Sequence, residues 1–195
     1  MVMKMVNVTL NSLQPLLMNS NRGVNPTDPL VKELKSITSK RKKTDEDQEL
    51  MLELKWNLAL YFDEKIGPYI PAECVEGCIR DAAKKVKRGK DVVAAVRVDP
   101  DFIPLEYDGP RTRDELWNYR DNLYKDVRVG KIKGSSIVLC RPRFNHWKIS
   151  FILTFDDEFF NLDEIRDFLI YGGKYGGLCD YRQRYGKFSP VIEKS

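Results

Sequence analysis

Residues 171–188, YGGKYGGLCDYRQRYGKF, bring glycines, tyrosines and cations together in one short stretch. Five of the chain's twelve glycines lie here, and glycine lets a backbone bend sharply or approach another group closely. Tyrosine rings stack on bases, and neighbouring lysines and arginines meet phosphates. The segment therefore predicts a nucleic-acid clamp. Its predicted contact residues are Gly173, Lys174, Tyr175, Gly176, Gly177, Tyr181, Arg182, Arg184 and Lys187.

The same glycines also have a purely structural interpretation. A helical pattern with Asn161 as its N-cap runs up to Gly172, so Gly172 or Gly173 fits a C-cap in the left-handed region. Two phosphate-binding motifs are excluded. No GxxxxGK followed by Ser or Thr occurs, and the glycines follow a helix, whereas a dinucleotide fingerprint follows a strand.

Two further clusters of cations fit nucleic-acid binding. The first ends a helix with an apolar stripe from Val75 to Val86, and a solvated helix end that complements the helix dipole is its alternative interpretation. The second lies in the sequence RPRFNHWK, where cations alternate with rings as a single-strand platform requires, unless Phe144 and Trp147 belong to the core. The predicted contacts are Lys84, Lys85, Lys87, Arg88, Arg141, Arg143, Phe144 and His146.

Residue types give little support for catalysis. His146 is the only histidine, and a metal-independent ribonuclease using it with a Tyr or Lys is an alternative that lacks an identifiable second acid or base. Asp156, Asp157 and Glu158 fit a turn better than a cation site. The four cysteines form no CxxC pair and fit reduced thiols, with Cys74 and Cys78 on the apolar face of a helix. We expect no enzyme activity, no metal and no cofactor.

Composition describes a globular chain of 195 residues with a net charge of only +4, so local clustering rather than overall charge must indicate nucleic acid. No apolar run approaches the roughly 20 residues of a membrane span, and the first residues lack the apolar core of a signal peptide. We therefore expect a cytoplasmic protein with no membrane partner.

Periodicity predicts an α+β fold. Strands are expected at 3–10, 92–98, 127–133, 135–140, 147–155 and 189–192, and helices after the N-caps Asp28, Thr44 and Asn161 and within the block that follows Pro71. Residues 100–122, which include Trp117, are expected to form a long loop. The specific expectation is a ferredoxin-like, RRM-like antiparallel sheet with helices on one face, in a single domain over residues 1–195. Residues 20–48 are expected to form a long basic insertion that is partly exposed or mobile, with Lys40–Lys43 as a mobile arm.

Two blocks of the sequence resemble the RAMP superfamily. They are the Ile70, Pro71, Ala72 entry followed by Gly77 and Arg80, and the glycine-rich segment that ends in YGKF. The resemblance implies a ferredoxin-like fold of the CRISPR backbone-subunit type and RNA binding by the glycine-rich loop and nearby basic residues. It also implies subunits that repeat along a strand. The loop departs from the family pattern at Leu178, Cys179 and Asp180.

The whole chain is also similar to a group of small tailed-phage proteins that share its PLLM, SKRKKTDED, IPA and RPRF blocks. The sequence therefore predicts a phage-encoded, sequence-tolerant binder of single-stranded DNA or RNA that acts in the host cytoplasm and self-associates along the strand. The alternative is a RAMP-shaped interaction protein, such as a CRISPR inhibitor that binds a host protein. Because phosphate contacts weaken steeply with salt, a salt titration separates the two.

Overall fold

The computed structural model describes residues 2–132 and 134–194. Its strands are β1 (Met3–Ser12), β2 (Leu16–Leu17), β3 (Phe62–Asp63), β4 (Gly67–Pro71), β5 (Val96–Asp99), β6 (Phe102–Pro104), β7 (Lys125–Ile132), β8 (Ser135–Phe144), β9 (Lys148–Asp156) and β10 (Phe188–Lys194). Its α-helices are α1 (Pro29–Thr38), α2 (Asp45–Ala59), α3 (Ala72–Ala83), α4 (Gly89–Ala95), α5 (Arg113–Trp117) and α6 (Leu162–Tyr171).

The chain divides into two compact units, whereas the sequence predicted a single domain over residues 1–195. The first unit comprises Met1–Leu16, Asp63–Asp108 and Asn145–Ser195, and the second comprises Leu17–Phe62 and Gly109–Phe144. Residues 20–48, predicted as an insertion, lie within the second unit.

The first unit is built on a four-stranded antiparallel sheet in the order β10-β1-β9-β5. Counted along the chain these are the fourth, first, third and second strands of the sheet. Helix α3 lies between the first and second strands, and α6 lies between the third and fourth. This β-α-β-β-α-β order is the ferredoxin-like topology, so the predicted fold class is confirmed.

Alternation along the central strands separates a buried face from an exposed face. On β1, Val6, Val8 and Leu10 are buried, whereas Met5 and Asn7 are exposed. The buried face of the sheet belongs to a core that includes the apolar stripes of α3 and α6, and these two helices pack against each other. The sheet therefore has helices on one face, as expected for this topology.

Three predicted elements differ from the structure. The strand expected at 92–98 begins only at Val96, because Val92 and Ala95 are buried one helical turn apart on α4. Helix α3 ends at Ala83 and continues as a 3₁₀ turn, so Val86 is exposed and Lys87 adopts a left-handed φ of 63°. The long loop expected at 100–122 contains both β6 and α5.

The second unit combines α1 and α2 with the β7–β8 hairpin. Trp56 of α2 is fully buried, and its indole Nε1 donates a hydrogen bond to the Tyr124 carbonyl at 2.8 Å. Trp117, predicted to lie in a loop available to a neighbour, is buried against Trp56 with ring centroids 5.7 Å apart. The loop assignment failed because a single helical turn, α5, leaves too short a pattern to identify.

The predicted N-caps Asp28 and Thr44 are confirmed. The Asp28 side chain accepts a hydrogen bond from the Leu30 amide at 2.9 Å, and Thr44 and Asp47 form a reciprocal capping box. Between these helices the Lys40 ammonium lies 2.6 Å from Asp47, and Lys43 donates to the Lys40 carbonyl. No helix in residues 2–132 and 134–194 is long and apolar enough to cross a bilayer.

Candidate nucleic-acid interface

The glycine-rich segment continues α6 rather than ending it in a left-handed cap. Gly172 has a right-handed φ of −57°, and the chain passes from α6 into a π-helical turn, Gly172–Gly176. The first left-handed residue is Gly177, with a φ of 82°. The predicted left-handed C-cap at Gly172 or Gly173 is therefore wrong, because α6 continues directly into the π-helical turn.

Two glycines of the segment are required by close packing. A Cβ on Gly173 would lie 2.2 Å from the Phe188 carbonyl oxygen, and a Cβ on Gly186 would lie 2.2 Å from the Leu178 carbonyl oxygen. Neither position has room for a side chain, since real Cβ atoms do not approach within 3.0 Å of another atom. Gly173 is buried and contacts its own unit, so its predicted role in nucleic-acid contact is replaced by a packing role.

Residues 177–186 form a loop whose two ends are held together. The Leu178 amide donates to the Gly186 carbonyl at 3.0 Å, and the Gly186 amide donates to the Pro15 carbonyl at 2.8 Å. The Lys187 ammonium donates to the carbonyls of Tyr175 and Gly176 at 2.8 and 3.3 Å. Burial lowers the pKa of Lys187. Lys187 thus anchors the loop backbone, which differs from its predicted contact with phosphate.

Arg182 is also engaged within the first unit. Its guanidinium Nη1 lies 3.2 Å from the Asp81 carboxylate, which also accepts a hydrogen bond from Lys84 at 2.8 Å. Burial by itself would raise the pKa of Asp81, but the hydrogen bonds from Lys84 and Arg182 lower it. Asp81 therefore stays ionised and joins the loop to α3. The sequence signal for Asp81 is its i,i+3 spacing from Lys84, which indicates that pair but not the contact with Arg182.

Arg88 holds the turn after α3 against α6. Its guanidinium donates to Asp91, to Glu164 and to the Phe159 carbonyl at 2.7, 2.9 and 2.6 Å. It also lies 4.3 Å from the centroid of the Phe160 ring. With these partners Arg88 is a structural residue, and its predicted contact with nucleic acid is replaced by this role. Lys84, Lys85 and Lys87 beside it are exposed.

Five predicted contact residues are exposed on the glycine-rich segment, and one of them, Arg182, is paired with Asp81. We call the other four the loop surface: Lys174, Tyr175, Tyr181 and Arg184. The side chains of Tyr175 and Tyr181 are 57% and 52% exposed. The Lys174 ammonium lies 5.1 Å from the centroid of the Tyr175 ring, and the Tyr171 and Tyr175 rings are 4.7 Å apart. The loop surface thus presents rings and cations on a backbone that Gly177, Gly186 and Lys187 fix in place.

The RPRFNHWK block is divided between the two units. Arg141, Arg143 and Phe144 belong to the second unit, whereas His146 is exposed in the first. Phe144 is 0% exposed and packs on the Tyr124 ring at 5.6 Å, so it cannot stack on a base, and that prediction is wrong. Phe144 is the last residue of β8, and side chains there alternate between buried and partly exposed positions, with Phe144 at a buried one. Arg143 Nη1 lies 3.8 Å from Asp126.

The thiols are positioned for packing rather than nucleophilic chemistry. Burial raises the pKa of Cys78 to about 12 and that of Cys140 to about 11. A hydrogen bond with Cys74, together with burial, raises the pKa of Cys179. All four cysteines are free thiols. In the described part of the chain, no three His, Cys, Asp or Glu residues come together as a metal site would require.

Comparison with known proteins bears on the fold. No protein-family model matches the chain, and no curated protein matches it. Among solved structures, the chain is similar to one in the cryo-EM structure of the Type III-B Cmr-beta bound to cognate target RNA, with a TM-score of 0.52 and 13% sequence identity. The match covers 98% of this chain and 61% of the other. At this identity the likeness shows a shared fold alone.

Proposed function

We propose that the protein binds single-stranded nucleic acid without sequence preference, and without catalysis, through the loop surface. The observation that carries this proposal is the exposure of Tyr175 and Tyr181, each by more than half, on a π-helical turn and the loop after it, whose backbone is fixed by the glycines and Lys187. Aromatic faces held in place lose little entropy when bases stack on them.

The chemistry of the loop surface favours single strands over duplexes. Every base has a face to stack on once it is unpaired, whereas a duplex hides those faces. Lys174 and Arg184 add charge for phosphates, which carry no sequence information. The RAMP-like fold is consistent with this role. The resemblance to small tailed-phage proteins supports a place in phage DNA or RNA metabolism in the host cytoplasm.

Fluorescence anisotropy with labelled 20-nucleotide DNA and RNA strands tests the proposal. Replacing both Tyr175 and Tyr181 by Ala should weaken binding at least tenfold, since stacking is worth about 1–3 kcal/mol per base. Replacing Lys174 and Arg184 by Ala should weaken it for all sequences alike. The matched control is Lys32→Ala with Lys35→Ala, which removes two exposed cations from α1. Equal effects of the loop and control variants would overturn the proposal.

A second candidate function, protein interaction, is favoured by the exposed face of the sheet. Met5, Ile152 and Val191 are exposed there, and Asn7 pairs with Ile152 while Thr9 pairs with Val191. No aromatic residue of β1, β5 or β9 lies on this face within the described chain, so the face lacks the stacking rings of an RRM-like platform. An exposed apolar patch is typical of a protein contact.

Self-association along a strand is the form of interaction that we propose for this face. Sedimentation with oligonucleotides of increasing length should show more protein per strand as the strand lengthens. Ile152→Lys should abolish that growth and leave binding to a short strand unchanged. One protein per strand at every length would contradict self-association, but it would not contradict single-strand binding by the loop surface.

A further inference from the structure

A pocket of about 460 Å³ lies at the corner between α3 and α4 in the first unit. Its lining residues are Arg80, Lys84, Lys87, Gly89, Lys90 and Val93. Four of the six are cations and none is an acid. Its volume is in the range of pockets that hold small ligands.

The backbone of this corner includes one conformation that is unfavourable for a lysine. Lys87 has a φ of 63°, where glycine or asparagine is the usual residue. Gly89 makes room for Lys84, because a Cβ there would lie 2.7 Å from the Lys84 Cγ atom. Arg88 forms ion pairs with Asp91 of α4 and Glu164 of α6, and these pairs fix the turn between α3 and α4. The corner is therefore held in shape before any ligand arrives.

The charge of the pocket remains positive after its neighbours are counted. Asp81 accepts a hydrogen bond from Lys84 and lies 3.9 Å from Arg80, and it also binds Arg182. No carboxylate in the described chain lies within ion-pair distance of Lys87 or Lys90. The apolar parts of these side chains form most of the pocket wall. The positive charge left on Lys87 and Lys90 around it favours an anion such as a phosphate.

A second pocket adjoins the first and has a different chemistry. It measures about 350 Å³, and Arg80 and Val93 belong to both pockets. Its other lining residues include Glu73 and Glu76. Glu76 accepts a hydrogen bond from the Val98 amide, whereas Glu73 is exposed. A carboxylate beside an apolar wall suits the hydroxyl groups of a ribose.

We infer that the two pockets bind a nucleoside phosphate, with the phosphate held by Lys84, Lys87 and Lys90 and the nucleoside on the Val93 side near Glu73. Arg80 lies between the two halves. The ligand is a free nucleotide or the phosphorylated end of a strand, which share this chemistry. The inference stands on the α3–α4 corner alone and does not require the loop surface to bind a strand.

Calorimetric titration of the full chain tests the inference with adenosine monophosphate, adenosine and inorganic phosphate. Adenosine monophosphate should bind at least tenfold more tightly than either adenosine or phosphate. Lys87→Gly with Lys90→Gln should weaken it at least tenfold, and glycine suits the left-handed backbone at 87, so the turn is retained. Lys85→Gln is the matched control, since Lys85 lies on the same turn but lines a different pocket.

Two further arms identify the source of the ligand and keep the inference separate from the proposed function. A tetranucleotide is compared with and without a 5′-phosphate, since single-strand binding by the loop surface contributes equally to both. Tighter binding of the phosphorylated form than of both its unphosphorylated form and adenosine monophosphate indicates a strand end, and otherwise the ligand is a free nucleotide. The variant Lys174→Ala with Arg184→Ala should leave binding of adenosine monophosphate unchanged. Equal binding of adenosine and its monophosphate, equal affinity in the pocket and control variants, or no binding at millimolar concentration would overturn the inference.

Discussion

At the residue scale, Gly173 leaves no room for a side chain, because a Cβ would lie 2.2 Å from the Phe188 carbonyl oxygen and 2.9 Å from its ring. We therefore expect Gly173→Ala to lower the free energy of unfolding by roughly 1–3 kcal/mol, as overpacking of a core does. Urea denaturation measures this change. Gly23→Ala is the control, since nothing lies within 4 Å of its added Cβ, and it should be nearly neutral. Equal stability of the two variants would refute the packing role.

Cys78 makes stability depend on pH in the alkaline range. Burial raises the pKa of its thiol to about 12, whereas an unfolded thiol titrates near about 8.5. The folded state therefore holds its proton more tightly, so this stabilisation is complete below about pH 8.5 and is lost as the pH rises toward 12. On the order of 2 kcal/mol should be lost between pH 7.5 and 10. Cys78→Ala should lose correspondingly less over that range, and identical losses would show that the thiol is not responsible.

Residue types alone predicted which segment carries cations, but not which cations are available. Arg182 and Arg184 lie two positions apart and both are exposed, yet Arg182 bonds Asp81, which is 101 residues away. Lys187 and Lys174 differ in the same way, because Lys187 donates to two loop carbonyls. Such pairings depend on tertiary contacts that no local pattern contains.

At the element scale, α6 positions the glycine-rich segment, and its first turn is fixed by Asn161. The Asn161 side chain accepts from the Glu164 amide at 2.9 Å, and Glu164 accepts from the Asn161 amide at 2.9 Å. Asn161→Ala should cost about 1 kcal/mol of stability by urea denaturation. Asn161→Asp retains a capping oxygen and should cost less than half as much. A comparable loss in both variants would mean that the cap contributes little.

Elements with long periodic patterns were predictable from the sequence, and short ones were not. The caps Asp28, Thr44 and Asn161 and the alternation of β9 identified their elements correctly. By contrast, α4 has seven residues and two adjacent valines, which favour a strand locally. Packing of Val92 and Ala95 in the first unit outweighs that local preference.

At the scale of the whole molecule, the ferredoxin-like order of β1, β5, β9 and β10 followed from the sequence, whereas the division into two units did not. The first unit is assembled from three separate stretches of chain, so its boundary coincides with no linker that composition could reveal. The RPRFNHWK block crosses this boundary, so the residues of its predicted platform belong to different units.

The salt dependence of single-strand binding tests the central claim most directly. If the loop surface meets phosphates through Lys174 and Arg184, the affinity of the whole protein for a single-stranded 20-mer should fall steeply between about 50 and 200 mM salt. The variant Lys174→Ala with Arg184→Ala should have a shallower slope, with about one unit lost per phosphate contact removed. A matched duplex should bind more weakly at each salt concentration. Affinity that does not change with salt, or a slope that the variant leaves unaltered, would contradict the account.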